Sequence, residues 1–177
     1  KTLVFSQALF NKLSSMTNPD GIGAVIKKKD PREISSPKIL LLDGINDPGN
    51  LGTMIRSAEA FGFRDVILMP GTVDPYNEKT LRASMGSVFR LNILEETHDD
   101  INKLKPSYKV LSADMDGLDI RDFKKDSKII LAIGNEANGL CQKMREITDD
   151  FIKIPMEGQI ESLNAAIAAS IIMNRLM

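Results

Sequence analysis

The sequence predicts an α/β domain built on a parallel sheet with helices on both faces. Five short apolar runs, several of them apolar at every position, are typical of strands that are buried on both faces. Helical patterns separate these runs, and such alternation of strand and helix is characteristic of parallel sheets. The chain has 177 residues, of which 42% are hydrophobic. This is enough for one such domain and a short appendage. Because the first apolar run begins at residue 38, we place the domain at residues 37–177.

The predicted elements alternate along the chain. The predicted strands are 38–44 (KILLLDG), 65–70 (DVILMP), 108–114 (YKVLSAD), 128–134 (KIILAIG) and 150–155 (DFIKIP). The predicted helices lie near 50–62, 76–85, 98–105, 137–146 and 162–177. The last helix is apolar on nearly every side, so it must be buried all round. Because one short chain can cover only part of it, we expect a homodimer interface there.

The residues before position 37 do not continue the alternation of apolar strands and helices. Residues 1–30 contain a helical pattern, SQALFNKLSS, and a pattern typical of an edge strand, GIGAVIKK. We expect this part to be the C-terminal remnant of a separate N-terminal domain, and residues 31–36 to form a linker. The chain starts at Lys1 rather than methionine, which suggests that an N-terminal part has been removed.

The composition of the chain excludes several classes of protein. Twenty-three basic and 24 acidic residues give a net charge of −1, so any contact with nucleic acid must be local. The single cysteine, Cys141, excludes an internal disulfide framework, and with one histidine it leaves no metal site of the usual spacing. We therefore predict no metal and a reducing, cytoplasmic compartment. No apolar run reaches the roughly 20 residues of a membrane span, so we predict no membrane partner.

The first motif is DPGNLGTMIRSAEAFG, residues 47–62. It begins with a turn directly after a strand, and Asn50 is predicted to cap the helix that follows. Open α/β sheets bind ligands at this carboxyl edge. Leu51, Met54, Ile55, Ala58 and Gly62 are predicted to face the sheet, which puts Arg56 on the opposite side. A solvated surface arginine is the ordinary interpretation of that position, and geometry alone does not decide.

Two further motifs follow apolar strands. In AIGNEANGL, residues 132–140, the glycines permit either close approach of a ligand or an ordinary strand-to-helix turn. In IPMEGQIESLNAAIAASIIMNRL, residues 154–176, Ser162 is predicted to cap the last helix. Other motifs are weaker. GIGAVI has Ile26 where a dinucleotide fingerprint needs glycine. No G-x-S-x-G motif surrounds Ser162, and His98 is most simply a solvated residue near a helix start, so a Ser-His hydrolase is not predicted.

Together, in this order, the three motifs resemble the SpoU (TrmH-like) family of the SPOUT class over roughly residues 37–177. LRASMGSVFRL, residues 81–91, also looks like the family's segment between the first two motifs. The resemblance implies an S-adenosylmethionine-dependent RNA ribose 2′-O-methyltransferase that acts as a homodimer. It also implies a C-terminal trefoil knot, in which the chain threads through a loop, and a ribosomal-protein-like front domain of which residues 1–30 would be the remnant.

The resemblance further implies roles for individual residues. The residues implied in catalysis are Asn50, Arg56, Glu136, Ser162 and Asn164. The residues implied in cofactor binding are Ala113, Ile133, Gly134, Asn135, Gly139, Ile154, Met156, Ser162 and Leu163. We expect Arg56 to hold the phosphate beside the target ribose and to lower the pKa of the hydroxyl electrostatically, since a guanidinium is effectively always protonated.

Three alternatives stay open. The first is a catalytically silent RNA-binding or scaffold protein that keeps the fold. The second is transfer RNA as the substrate in place of the favoured ribosomal RNA, and the third is methylation of a base. The sequence identifies neither the target nucleotide nor any role in antibiotic resistance.

Overall fold

The computed structural model describes residues 2–124, 127–160 and 162–177. The chain divides into two units, Lys1–Asp30 and Pro31–Met177. In the first unit, helix α1 (Gln7–Leu13) begins after Ser6, whose side chain accepts a hydrogen bond from the Leu9 N–H. The edge strand predicted from GIGAVIKK is wrong, because residues 21–28 form no strand. A strand needs a hydrogen-bonding neighbour, and the described residues of this unit provide none.

The second unit contains one six-stranded sheet. Its strands in chain order are β1 (Lys38–Asp43), β2 (Asp65–Leu68), β3 (Asn92–Glu95), β4 (Lys109–Asp119), β5 (Ile129–Gly134) and β6 (Asp150–Lys153). They lie in the order β3-β2-β1-β5-β4-β6, and every neighbouring pair is parallel. The predicted α/β class with a parallel sheet is therefore confirmed. Strand β3 was not predicted.

Among the described residues, five α-helices flank the sheet. They are α2 (Pro48–Ala60), α3 (Glu78–Ser84), α4 (His98–Leu104), α5 (Gln142–Ile147) and α6 (Ala165–Arg175). Alternate side chains of β1 enter different cores. Leu40 and Leu42 pack in the cluster that contains α2 and α6 residues. Ile39 and Leu41 pack in the cluster that contains α4 and α5 residues. Helices therefore cover both faces, as the continuous apolar strands predict.

The segment predicted as a linker runs along the amino ends of β2 and β3. The N–H groups of Ser35 and Ser36 donate to the buried carboxylate of Asp65 over 3.0 and 2.7 Å. The Arg32 N–H donates to the side-chain oxygen of Asn92 over 2.8 Å, and the Asn92 amide donates to Asp65 over 2.7 Å. Residues 31–36 are thus attached to the sheet rather than only connecting the two units.

None of the helices in the described part of the chain is long and apolar enough to cross a bilayer.

Candidate functional site

A cleft opens at the carboxyl edge of the sheet, where β1 and β5 end and where α2 and α6 begin. Its volume is about 690 Å³, which is in the size range of ligand pockets. The described residues that line it are Asn46, Asp47, Asn50, Asn135, Glu136, Ala137, Ser162, Leu163, Asn164 and Ala165. Each of the three motifs contributes residues to this lining, so the fold brings together segments that are far apart in sequence.

Asn50 lies at the centre of the polar contacts in the cleft. The prediction that it caps α2 is wrong, because Asp47 is the N-cap and accepts a hydrogen bond from the Asn50 N–H over 2.8 Å. The Asn50 side chain therefore remains available for other partners. Its amide donates to Glu136 over 3.0 Å, and its oxygen accepts from the Asn164 amide over 3.0 Å. Asn50 thus links the other two motifs.

Glu136 is the acidic residue of the cleft. Its carboxylate accepts hydrogen bonds from the N–H groups of Asn46 and Asp47, both over 3.3 Å, as well as from Asn50. Partial burial raises the pKa of Glu136, but these donors outweigh burial, so its pKa lies below the usual value. Glu136 is therefore ionised at neutral pH.

A tight turn holds Glu136 in place. Asn135 and Gly139 exchange two backbone hydrogen bonds of 2.9 Å, and the Asn135 amide donates to the Gly44 carbonyl over 2.7 Å. A side chain at Gly134 would place Cβ 2.3 Å from the Gly139 backbone. Gly139 itself has a φ of +66°, which glycine adopts without strain. This turn occupies the start of the helix predicted at 137–146, so α5 begins only at Gln142.

The third motif reaches the cleft just before α6. The prediction that Ser162 caps this helix is wrong, because the cap is Asn164, whose side chain accepts from the N–H groups of Ala166 and Ile167. Ser162 is exposed and makes no hydrogen bond with other described residues. Its hydroxyl is therefore available to a ligand. Leu163 is partly buried beside it.

Arg56 lies apart from this group. It is exposed on α2, opposite the buried residues Leu51, Met54, Ile55 and Ala58, as predicted. Gly62 does not belong to that buried face, because it is exposed in a left-handed turn beyond the helix, with φ +80°. Arg56 forms no hydrogen bond or ion pair with the described residues and is not part of the cleft lining. The fold thus brings together Asn50, Glu136, Ser162 and Asn164 but leaves Arg56 outside the cleft lining.

The residues expected to bind the cofactor fall into two groups. Asn135, Ser162 and Leu163 line the cleft. The others lie outside its lining: Ala113, Ile133 and Gly134 near the carboxyl edge in β4 and β5, Ile154 and the exposed Met156 after β6, and Gly139 in the tight turn.

The sequence analysis missed four residues of the lining. These are Asn46, Asp47, Ala137 and Ala165. Asp47 carried a usable signal, since an aspartate directly before proline is a common start of a helix. It also pairs with Lys79 over 2.8 Å, and chiefly this hydrogen bond lowers its pKa.

Comparison with known proteins gives one matching family. The model of the SpoU rRNA Methylase family matches residues 37–174. A curated relative is the 23S rRNA (guanosine(2553)-2′-O)-methyltransferase RlmP of Bacillus subtilis, 35% identical over 98% of this chain and 71% of its own length. A protein of Staphylococcus haemolyticus that is named as a TrmH family tRNA/rRNA methyltransferase is 34% identical over 82% of this chain. This chain covers only 59% of that relative.

Solved structures agree. The AdoMet-bound rRNA methyltransferase of Sinorhizobium meliloti superposes with a TM-score of 0.82 and 30% identity, over 97% of this chain and 69% of its own. The SpoU methyltransferase AviRb of Streptomyces viridochromogenes, in complex with AdoMet, superposes with a TM-score of 0.74 and 32% identity, over 81% of this chain and 58% of its own.

Proposed function

Because this chain belongs to the SpoU rRNA methylase family, we propose that it transfers a methyl group from S-adenosylmethionine to a ribose 2′-hydroxyl of an RNA. The observation that carries the proposal is the meeting of the three motifs in one cleft through the contacts of Asn50 with Glu136 and Asn164. The name of the Bacillus subtilis relative supports ribose methylation and favours ribosomal RNA. Transfer RNA is the alternative substrate.

The residues of the cleft fit S-adenosylmethionine. The described lining contains two carboxylates and no basic side chain, and Asp47 is already paired with Lys79. The ionised Glu136 therefore leaves the cleft net negative, which suits a ligand with a positive sulfonium. The partly buried Leu163 offers an apolar surface for an adenine ring. We propose that backbone groups at Ile133, Gly134 and Ile154 complete the site. When bound, the cofactor supplies an electrophilic methyl group.

The residues around the cleft would prepare the nucleophile. A ribose hydroxyl is a weak acid, so a nearby positive charge helps it to lose its proton. We propose that Arg56 binds the phosphate next to the target ribose through two parallel N–H donors. Asn50 and Ser162 would orient the hydroxyl, because each has polar side-chain atoms and lines the cleft. Arg56 itself cannot accept the proton, because a guanidinium is effectively always protonated, so the proton would pass to another acceptor.

A homodimer would bring Arg56 into the site. Helix α6 exposes 53% of Ile167 and 41% of Ile171 although its other face is buried. Helix α2, which carries Arg56, packs beside α6, where the hydroxyls of Ser57 and Ser170 lie 2.8 Å apart. We propose that a second copy covers this exposed stripe and places Arg56 of one chain near the cleft of the other.

Further parts of the proposal rest on the family alone. We propose that residues 37–177 form the catalytic domain and carry a trefoil knot, that residues 1–30 end an RNA-binding front domain, and that residues 31–36 connect the two. A cytoplasmic location fits an RNA substrate and a single free cysteine.

The test is a methyl transfer assay on ribosomal RNA and transfer RNA in separate reactions. The chain is incubated with labelled S-adenosylmethionine, and the digested RNA is analysed by mass spectrometry for 2′-O-methyl nucleosides. We expect a 2′-O-methyl product from the wild type, and a rate at least about 100-fold lower for Arg56→Ala. Arg64→Ala is the matched control, because Arg64 is also exposed but lies just before the amino end of β2.

Two outcomes would overturn the proposal. A base-methylated product would assign a different reaction. No product from either RNA, by a chain that binds both the cofactor and the RNA, would favour the scaffold alternative.

A further inference from the structure

A cluster of three side chains lies at the end of β1, outside the lining of the cleft. Possible ligand atoms of Asp43, His98 and Cys141 all lie within 4.8 Å of one another. Asp43 ends β1, His98 begins α4, and Cys141 directly precedes α5. They are brought together from positions 43 to 98 residues apart in sequence. The sequence alone predicts no metal site here, since no ligand spacing shows in the chain.

The distances within the cluster are close to those of a coordination shell. His98 Nε2 lies 3.2 Å from Cys141 Sγ. In a tetrahedral zinc site, bonds of about 2.1 Å to nitrogen and about 2.3 Å to sulfur put these two atoms about 3.6 Å apart. A small opening of the two side chains would therefore admit an ion. The cluster is also preorganised, because the Asp43 carboxylate accepts the Cys141 N–H over 2.7 Å.

The charge of the cluster also favours a cation. Asp43 is only 5% exposed, and no cationic side chain forms an ion pair with it among the described residues. A buried carboxylate without a counter-ion is costly, and a bound cation offsets that cost. Cys141 is exposed and His98 is partly exposed, so an ion can reach the cluster from solvent. The set of one carboxylate, one imidazole and one thiol suits borderline metals better than Mg²⁺ or Ca²⁺.

We propose that Asp43, His98 and Cys141 bind one divalent cation of the borderline class, of which Zn²⁺ is the representative. Three protein ligands leave a fourth position for water. On binding, the Cys141 thiol gives its proton to solvent and coordinates as the thiolate. The ion would join the end of β1 to α4 and to the segment before α5. That segment directly follows the turn that holds Glu136. The ion would therefore also stabilise the position of this turn in the cleft.

The test uses the full chain after removal of metal, titrated with Co²⁺ as a spectroscopic probe and then with Zn²⁺. We expect one Co²⁺ per chain, with absorption from thiolate-to-metal charge transfer that Zn²⁺ abolishes by displacement. His98→Ala is the decisive variant, because it keeps the only thiol of the chain. We expect it to weaken metal binding by at least about tenfold. Asp116→Asn is the control, since it removes an exposed carboxylate outside the cluster.

The proposal is overturned if the wild type shows no stoichiometric binding. It is also overturned if His98→Ala binds as tightly as the wild type, because His98 would then not be a ligand. Cys141→Ser must lose the charge-transfer band. These measurements depend on neither cofactor binding nor methyl transfer. They therefore test the metal site independently of the proposed function.

Discussion

Asn50 has two side-chain partners in the cleft because Asp47 takes the capping role at the start of α2. Its amide group is both donor and acceptor, which is what a position between a carboxylate and a second amide requires. An aspartate side chain is nearly the same size as that of asparagine, but when ionised it has only hydrogen-bond acceptors. A change at this residue therefore tests the polar contacts without leaving a cavity.

We expect Asn50→Asp to lower the free energy of unfolding by about 1–2 kcal/mol near neutral pH, because it sets a second carboxylate beside Glu136. The repulsion raises the pKa of the pair in the folded state above its unfolded value. The folded variant therefore binds a proton more readily than the unfolded chain, and it regains stability as pH falls. Urea unfolding near neutral pH and near roughly pH 5 would measure this difference.

The control for this experiment is Asn77→Asp. Asn77 caps α3 through its side-chain oxygen, and aspartate caps a helix equally well. We expect no loss there. An Asn50→Asp variant that loses the same free energy at both pH values would contradict the account.

At the scale of single residues, the sequence predicted which polar residues come together, Arg56 excepted, better than it predicted their structural roles. Asn50, Glu136, Ser162 and Asn164 were all named, and the cleft contains them. Both predicted helix caps were wrong, because each helix has two polar candidates within three residues. Local preference does not choose between such candidates, and tertiary contacts do.

At the scale of elements, α2 and α3 are in close contact at Gly52. A Cβ at this position would lie 2.5 Å from the Cβ of Ala83 and 2.7 Å from the carbonyl oxygen of Thr80. A carbonyl oxygen of the backbone cannot move aside cheaply. Gly52 is therefore required by helix packing and not by its own backbone conformation.

We expect Gly52→Ala to destabilise the protein by about 1–3 kcal/mol, because the added methyl group forces the two helices apart. Helix propensity alone predicts the opposite sign, a gain of about 1 kcal/mol. The midpoint of urea unfolding would decide between the two. The neighbouring Thr53→Ala is the control, since Thr53 is exposed and we expect a change within about 0.5 kcal/mol. A Gly52→Ala variant as stable as the wild type would contradict the packing argument.

Sequence patterns did not predict two features of the elements correctly, strand β3 and the start of helix α5. Strand β3 was missed because it is short and contains Asn92, a polar residue that is buried only because it bonds with Asp65 and Arg32. Helix α5 was predicted to start five residues too early, because the Asn135–Gly139 turn precedes the helix and is fixed by the hydrogen bond from the Asn135 amide to the distant Gly44 carbonyl. Both errors arise from contacts between distant segments. The five apolar strands carried no such ambiguity and were confirmed.

At the scale of the whole molecule, the homodimer is the untested step. We expect the wild type to sediment as a dimer. Ile171→Glu should weaken that dimer by at least about 100-fold, because it buries a charge in an apolar interface. Sedimentation velocity over a range of concentrations would measure this. Met85→Glu is the control, because Met85 is 65% exposed and lies at the end of α3. A monomeric wild type, or an unaffected Ile171→Glu variant, would contradict the dimer.

We propose that the three motifs together build one binding site for S-adenosylmethionine. Calorimetric titration of the chain with this cofactor tests it most directly, since it needs neither the correct RNA nor the front domain. We expect the wild type to bind about one molecule per chain, a folded Leu163→Arg variant to bind none, and Met85→Arg to bind as the wild type does. A folded wild type that binds none, or a Leu163→Arg variant that binds as well as the wild type, would contradict it.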